Sequence, residues 1–248
     1  VLTLTNDIHT FDLDPQARIP VATLCNFMQN AAEEHAAKLG CSVVELQPQG
    51  LTWVLLGLHL RVDPATASGR SIRLRTWPAG WDRRRAHRDF QLVAGQDRKP
   101  FASATTTWVV IAFKSGRPVV LPRFIQSVMP KQCETLLTPP THRMAVPAAN
   151  TKAVRTFCVR RSDLDINDHV NNVHLIEWVT ESVPLSVWRD YQIREFEIVF
   201  RAPALDGVCV DAVSEAAPES TAANPAYRHT LLHHETQAEI VRARSVWQ

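Results

Sequence analysis

Residues 160–172 read Arg-Arg-Ser-Asp-Leu-Asp-Ile-Asn-Asp-His-Val-Asn-Asn and stand directly before an amphipathic helical pattern. Three aspartates, three asparagines and a histidine fall within the last ten of these positions. The simpler interpretation is that Asp168 or Asn171 caps the helix and that the other residues form a solvated loop. A cluster of polar residues this dense exceeds what a helix cap requires, so the stretch is also a candidate catalytic or binding site.

Part of this stretch occurs twice in the chain. Asp163-Leu164-Asp165 repeats Asp12-Leu13-Asp14, which lies 151 residues earlier, and a helical pattern follows each copy. The first helix is predicted over 20–39, because proline is tolerated at a helix start and Gly40 stops the pattern. The second is predicted over 171–188, with Pro184 bending it or ending it early.

Alternating apolar and polar residues predict one strand before each helix and four strands after it. Those after the first helix are predicted over 51–62, 70–78, 83–94 and 100–113, and those after the second over 191–202, 207–215, 226–235 and 237–248. One long helix with an antiparallel sheet is an α+β unit. A sheet wrapped around a single helix is the hotdog arrangement, so two such units in tandem predict a double hotdog.

The two copies divide the chain into three parts. We expect an N-terminal unit over 1–121, a proline-rich linker over 122–154 and a C-terminal unit over 155–248. The linker holds five of the sixteen prolines, a composition typical of extended, semi-rigid connections. A length of 248 residues fits either one large domain or two small ones.

Composition excludes several classes of function. With 8 glycines and no G-x-G-x-x-G or P-loop string, a glycine-rich nucleotide site is not expected. A net charge of +2 without aromatic interleaving disfavours nucleic acid as a partner. No apolar run is long enough for a membrane helix and no signal peptide is recognised, so a cytoplasmic location is predicted.

Five scattered cysteines contain no C-x-x-C pair, which favours reduced, buried thiols over disulfides or a metal set. They are Cys25, Cys41, Cys133, Cys158 and Cys209. His233-His234-Glu235 is not expected to bind a metal, because neighbouring strand residues face opposite ways. No metal and no cofactor are therefore predicted.

The string at 160–172 resembles that of plant and bacterial acyl-acyl carrier protein thioesterases. The family pattern is Arg-Arg-Ser-Asp-Leu-Asp-x-Asn-x-His-Val-Asn-Asn, and this chain fills every fixed position. Looser matches occur at 53–55, at 75–78 and at Trp108 with 116–122. The resemblance covers nearly the whole chain and implies hydrolysis of fatty acyl thioesters to free fatty acid and carrier thiol.

The resemblance places the catalytic residues at Asp165, Asn167 and His169. Asp165 is the candidate general base or nucleophile, and the other two are expected to orient the water or hold Asp165. Backbone N–H groups near the start of the second helix are the candidate oxyanion donors. These belong to Val170, Asn171 and Asn172.

The chain departs from the family at one point. Family members commonly carry Glu-Cys after the central strand of the second unit, where this chain has Pro203 and Ala204. A Cys–His mechanism is therefore not expected, whereas an Asp-centred hydrolysis remains possible. The first unit lacks the Asn-x-His string, so Asp12 and Asp14 are predicted to serve turns or caps.

The resemblance implies that acyl carrier protein, with its phosphopantetheine arm, is the partner. A basic run is the candidate docking patch, although an edge strand that resists aggregation is an equally good interpretation. Its residues are Arg83, Arg84, Arg85 and Arg88. The first unit is expected to shape the acyl pocket, with candidate lining residues Phe27, Met28, Trp53, Leu55 and Leu58.

Three alternatives stay open. An acyl-coenzyme A thioesterase can use the same scaffold, and a non-catalytic acyl-binding module can result from loss of the Glu-Cys pair. A hotdog hydratase is less favoured by the Asp-x-Asn-x-His arrangement. The chain is predicted to be a monomer or a homodimer, since two units in one chain already supply the pairing that single hotdogs gain by association.

Overall fold

A computed structural model describes residues 1–63, 70–95, 99–132 and 134–248 of the protein. These residues form two compact units. Unit 1 comprises Val1–Ile19 with Leu24–Pro139, and unit 2 comprises Pro20–Thr23 with Pro140–Gln248. Each unit contains antiparallel strands and few helices, as the α+β prediction requires.

In unit 1 the strands follow the order β1-β3-β4-β5-β2, with β6 beside β5. Their bounds are β1 Leu2–Asp7, β2 Leu51–Val62, β3 Ser71–Trp81, β4 Arg85–Ala94, β5 Ala102–Ala112 and β6 Arg117–Pro118. The helices associated with them are α1 Val21–Lys38, α2 Val43–Leu46 and α3 Arg123–Ser127. Ala36, Ala86, Val110 and Ile125 pack together in one buried cluster of this unit.

In unit 2 the strands follow the order β8-β11-β10-β9-β7. Their bounds are β7 Arg155–Cys158, β8 Ile193–Phe200, β9 Cys209–Ala216, β10 Ala226–His233 and β11 Glu239–Trp247. The helices are α4 Asn172–Thr180 and α5 Leu185–Asp190. Val173, Ile176 and Val179 of α4 are buried, and the Trp178 ring of α4 stacks on Phe157 of β7 at a centroid distance of 5.3 Å.

The predicted helix ends are close to the observed ones where a local signal marks them. Helix α1 starts one residue after Pro20 and ends two residues before Gly40, which adopts a φ of +69°. Glycine takes this left-handed conformation without a steric penalty. The second predicted helix is two helices, α4 and α5, because Pro184 cannot continue α4 and instead precedes the first residue of α5.

Residues 122–154 do not form an isolated connector. The backbone N–H of Leu136 donates to the buried carboxylate of Asp89 at 2.9 Å, which ties the segment to the sheet of unit 1. Burial raises the pKa of Asp89, and hydrogen bonds from Thr105 and Leu136 oppose this. Further along, Val154 donates its N–H to Ala212 of β9 in unit 2. The two ends of the proline-rich stretch thus belong to different units.

Cys158 and Cys209 form a disulfide, so the prediction of reduced thiols is wrong for this pair. The two residues oppose each other in the antiparallel register of β7 and β9, with Cα atoms 4.0 Å apart. This register brings together residues 51 positions apart. Cys25 and Cys41 are unpaired and buried, as predicted, and Cys133 lies outside the described residues.

A buried relay of hydrogen bonds anchors the end of α4 to β10 and β11. Trp247 Nε1 donates to Ser245 Oγ, whose hydroxyl faces His229 Nε2 at 2.8 Å. Ser182 Oγ donates to the Val179 carbonyl, so its lone pair accepts from His229 Nδ1. The relay therefore requires a neutral imidazole protonated at Nδ1, and burial lowers the pKa of His229 to about 3.

We predict that acid weakens unit 2 through His229. The folded state keeps the imidazole neutral, whereas the unfolded chain takes up a proton below its ordinary pKa of 6.5. Stability is therefore present above that pH and is lost as pH falls from 6.5 toward 3, by up to about 1.4 kcal/mol per pH unit. Urea unfolding between neutral pH and mildly acidic pH measures the slope. His229→Gln, which lacks this proton site, should show a shallower slope, and equal slopes would contradict the assignment.

Candidate active site

The 160–172 stretch folds into a tight loop between β7 and α4. A short 3-10 helix covers Arg161–Asp163, and Leu164 and Val170 then pair as an isolated antiparallel bridge. The N–H of Asp165 donates to the His169 carbonyl at 2.8 Å, which closes the loop. The predicted catalytic residues 165, 167 and 169 therefore all lie on this one turn.

Asp163 holds the two ends of the loop together. Its carboxylate, only 2% exposed, accepts from the Arg160 backbone N–H at 2.9 Å and from the Arg160 guanidinium. Its carbonyl accepts from the N–H of Asn171, the N-cap of α4. Burial alone would raise the pKa of Asp163, but the Arg160 contacts outweigh it and lower this pKa. Sequence reasoning missed this role, although the Arg-x-x-Asp spacing is visible in the motif.

Asp165 has one carboxylate oxygen engaged. Its Oδ1 accepts from the backbone N–H of Asn167 at 2.7 Å. Within the described chain no donor is hydrogen-bonded to Oδ2. Asp165, Asn167 and His169 are all half-buried, and no hydrogen bond joins their side chains in the described ranges. The structure thus brings the three residues onto one turn and leaves an acceptor oxygen of Asp165 open.

Two further features of the turn are unusual. The Asn167 Oδ1 atom is buried and has no hydrogen-bond partner among the described residues. Asp168, next to it, has a φ of +57°. Non-glycine residues adopt this conformation infrequently, and aspartate is one of those that tolerate it best.

The predicted oxyanion donors need correction. The N–H of Val170 donates to the Ala204 carbonyl and that of Asn171 to the Asp163 carbonyl, each within 2.9 Å. Neither group is open to a substrate oxygen, which rules out the donor role predicted for these two residues. Asn172, the first residue of α4, is the one of the three whose N–H makes no hydrogen bond within the described ranges. Asn171 instead caps α4 through its side chain, as the simpler interpretation held.

Unit 1 contains the same loop with different side chains. The N–H of Asp14 donates to the Arg18 carbonyl at 2.8 Å, and Ala17 has a φ of +57°. Here Arg18 stands at the position of His169, and its Nε donates to Asp14 Oδ2 at 2.7 Å. The charge of Asp14 is therefore paired with that of Arg18. Asp12 accepts a hydrogen bond from the backbone N–H of His9. The turn and cap roles predicted for both aspartates are confirmed.

The basic run is split by the structure. Arg83 and Arg84 are exposed in the turn between β3 and β4, and Arg85, the exposed first residue of β4, pairs with Asp82 at 3.1 Å. Arg88 is half-buried and donates to His35 of α1 and to Thr76 of β3. Strand alternation explains this, because Arg88 shares a face of β4 with buried Ala86 and Phe90. Arg88 is therefore not part of an exposed patch, and the prediction for it is corrected.

The sequence matches two family models. That of the acyl-ACP thioesterase N-terminal domain covers residues 2–127, and that of the acyl-ACP thioesterase C-terminal domain covers residues 147–248.

The chain belongs to the acyl-ACP thioesterase family.

Relatives and solved structures agree with this membership. The chloroplastic dodecanoyl-[acyl-carrier-protein] hydrolase of Cinnamomum camphora is 22% identical over 97% of this chain. The chain spans 66% of that relative's length. The 12:0-ACP thioesterase from Umbellularia californica matches with a TM-score of 0.87 at 20% identity, over 100% of this chain and 93% of that one. An acyl-ACP thioesterase from Bacteroides thetaiotaomicron matches with a TM-score of 0.83 at 22% identity, over 99% and 97%. The predicted double hotdog is thereby confirmed.

The departure from the family pattern lies beside the loop. Ala204 is buried and its carbonyl accepts the Val170 N–H, so the segment that would carry Glu-Cys contacts the candidate site. Neither Pro203 nor Ala204 offers a side chain that can take or give a proton.

None of the described helices is long and apolar enough to cross a membrane. Likewise, no three His, Cys, Asp or Glu side chains in the described ranges lie together in a way that could hold a metal ion.

We predict that Asp168→Gly leaves the free energy of unfolding unchanged or raises it, because glycine adopts a φ of +57° without strain. Asp168→Ile should lower it by about 1–2 kcal/mol, since a β-branched side chain clashes in the left-handed region. Chemical denaturation of both variants measures this. Equal stabilities for the two would show that the loop does not hold position 168 in this conformation.

Proposed function

We propose that the protein hydrolyses fatty acyl-acyl carrier protein thioesters, releasing free fatty acid and holo-carrier protein. The observation that carries the proposal is the loop at 160–172, where Asp165 keeps one carboxylate oxygen without a hydrogen-bond donor in the described chain. The equivalent carboxylate in unit 1, Asp14, is neutralised by Arg18. Family membership supports the same class of reaction.

Asp165 acts as the general base in this proposal. Its open oxygen takes a proton from water as the water oxygen attacks the thioester carbonyl carbon. The tetrahedral intermediate collapses with cleavage of the carbon–sulfur bond, and the proton passes to the leaving thiolate. Direct attack by Asp165 would form a mixed anhydride instead. In a single turnover in ¹⁸O-labelled water, label in the Asp165 carboxylate would demonstrate direct attack, because only hydrolysis of the anhydride at its aspartyl carbonyl carbon puts label there. Trapping the anhydride with hydroxylamine tests for the case in which water attacks the acyl carbon instead.

In this proposal, groups next to Asp165 position the attacking water and stabilise the oxyanion. Asn167 and His169 lie on the same turn as Asp165, and their side chains orient the attacking water. The N–H of Asn172 at the start of α4 is the remaining oxyanion donor of the three first considered. The positive end of α4 favours negative charge at this point. One such donor contributes about 3 kcal/mol to transition-state binding.

Unit 1 shapes the acyl pocket in the proposal. Met28, Leu55 and Leu58 are buried, whereas Phe27 and Trp53 are half-buried. The depth of the pocket that these side chains line would select the length of the acyl chain, because each buried methylene contributes about 0.8 kcal/mol to the free energy of binding.

Acyl carrier protein is the proposed partner. Arg83, Arg84 and Arg85 are exposed and close in sequence, which suits an acidic docking face. A monomer or homodimer and a cytoplasmic location are predictions that accompany the proposal.

We predict that Asp165→Ala and Asp165→Asn lower the hydrolysis rate by about 10²–10⁴-fold without unfolding the chain, because the base is lost. Thiol release measured with a chromogenic thiol reagent gives the rate, and circular dichroism checks the fold. Asp168→Gly, in the same loop, is the matched control and should keep near-normal turnover. Near-normal turnover by a folded Asp165 variant would refute the role of this carboxylate.

We predict that charge reversal of Arg83, Arg84 and Arg85 to Glu raises KM for carrier-linked substrates more than for coenzyme A thioesters, because only the carrier has an acidic surface to dock. Steady-state kinetics on both thioesters measures the difference. The control is reversal of Lys131, Arg143 and Lys152, which are also exposed and change the net charge equally. An equal effect of the first reversal on both substrates would argue against a carrier-specific patch and favour an acyl-coenzyme A thioesterase.

A further inference from the structure

The Cys158–Cys209 disulfide lies at the edge of the unit 2 sheet. Cys158 is the last residue of β7, the terminal strand in the order β8-β11-β10-β9-β7, and Cys209 is the first residue of β9. Strand β7 is only four residues long, and three of the four are exposed. The disulfide therefore joins a short, mostly exposed strand covalently to its neighbour β9.

The sulfur atoms lie on the face of the sheet opposite α4. Phe157, which alternates with Cys158, stacks on Trp178 of α4, and Val210, which alternates with Cys209, is fully buried. Cys158 itself is exposed. A solvated reagent can therefore reach Cys158 without unfolding the unit.

The surroundings of the disulfide are polar. Thr156 and Asp211 share the face of the two cysteines, and the Thr156 hydroxyl donates to Asp211 at 2.7 Å. His234 contacts the same carboxylate through Nδ1 at 2.9 Å and donates its backbone N–H to the Cys209 carbonyl. Such a face accepts water and polar thiols rather than excluding them.

Both chain segments that leave the disulfide run into the candidate active site. Val159 follows Cys158 and donates its N–H to the Val208 carbonyl, and Arg160 then begins the loop. In the other direction, Ala204 lies five residues before Cys209 and accepts the N–H of Val170. The disulfide thus links the starting points of two segments, 159–170 and 204–208, which meet again at the loop through the Val170–Ala204 hydrogen bond.

We propose that the Cys158–Cys209 disulfide is a redox-exchangeable site, reduced in the folded protein by dithiols, and that its state sets how firmly the 160–172 loop is held. The effect on hydrolysis rests on the function proposed above, whereas the exchange reaction and the loop order do not. If the protein works in the cytoplasm, as predicted above, its compartment is reducing, and disulfides there are mostly of this redox-responsive kind.

The reaction balances with one dithiol per disulfide. A thiolate of the dithiol attacks Cys158 Sγ, the sulfur–sulfur bond breaks, and Cys209 leaves as a thiolate that takes a proton from solvent. The second thiol of the reagent, as its thiolate, then attacks the mixed disulfide and releases Cys158. The protein gains two thiols, and the dithiol is oxidised to a cyclic disulfide.

The test uses the intact folded chain in dithiothreitol, without denaturant. Alkylation followed by peptide mass spectrometry should show labelled Cys158 and Cys209, while the buried Cys25 and Cys41 stay unlabelled. Hydrogen exchange should become at least about tenfold faster in 155–172 and stay unchanged in α1. The Cys158→Ser/Cys209→Ser variant should match the reduced protein and be insensitive to dithiothreitol.

Two results would overturn the proposal. One is a disulfide that dithiothreitol opens only when denaturant is present. The other is reduction in the folded state with no change of exchange in 155–172. Release of free fatty acid, measured on reduced and alkylated protein from which dithiothreitol has been removed, gives a third readout, expected to fall severalfold relative to the oxidised wild type and to be constant in the double variant. An oxidised protein that hydrolyses no acyl thioester would refute the proposed function and leave the exchange measurements to decide the redox site.

Discussion

The buried carboxylate of Asp163 is the constraint on which the candidate site depends. This carboxylate accepts hydrogen bonds from the backbone N–H and the guanidinium of Arg160 at one end of the loop. At the other end, the backbone carbonyl of Asp163 accepts from the N–H of Asn171. A buried carboxylate is costly unless its oxygens are paired, so this arrangement strongly favours one loop conformation. The short turn that carries Asp165, Asn167 and His169 is held between these two ends, and α4 begins where the turn is tied down.

The duplicated loop shows how one backbone conformation can serve two purposes. In unit 1 the arginine at the last position of the turn donates a hydrogen bond to the aspartate at the first, so the carboxylate charge is paired within the turn. In unit 2 a histidine occupies that position, and the aspartate keeps an oxygen without a donor in the described chain. A left-handed residue occupies the same position in both turns, Ala17 in unit 1 and Asp168 in unit 2, each with a φ of +57°. Four side-chain differences, between 15–18 and 166–169, thus separate a structural turn from a candidate site on the same backbone conformation.

Local signals made much of the architecture predictable. Pro20, Gly40 and Pro184 mark helix boundaries through backbone sterics alone, and the strand predicted over 51–62 coincides with β2. The motif at 160–172 likewise located the candidate site, because its residues are contiguous.

Features that depend on pairing between distant segments were not predictable in the same way. The register of β7 and β9 decides the Cys158–Cys209 disulfide, and contacts with Ala204 and Asp163 use up two N–H groups that sequence reasoning assigned to an oxyanion. Arg88 belongs to the same class, since its neighbours in a basic run say nothing about which face of β4 it takes.

Thiol release from acyl carrier protein thioesters over a series of acyl chain lengths, with the matching coenzyme A thioesters run in parallel, tests the central claim most directly. The account predicts catalytic release of the carrier thiol, faster than release from coenzyme A at equal concentration, with a maximum at one range of chain length. Tight binding of acyl carrier protein with no thiol released at any chain length would contradict it and would identify the protein as a non-catalytic acyl-binding member of the family.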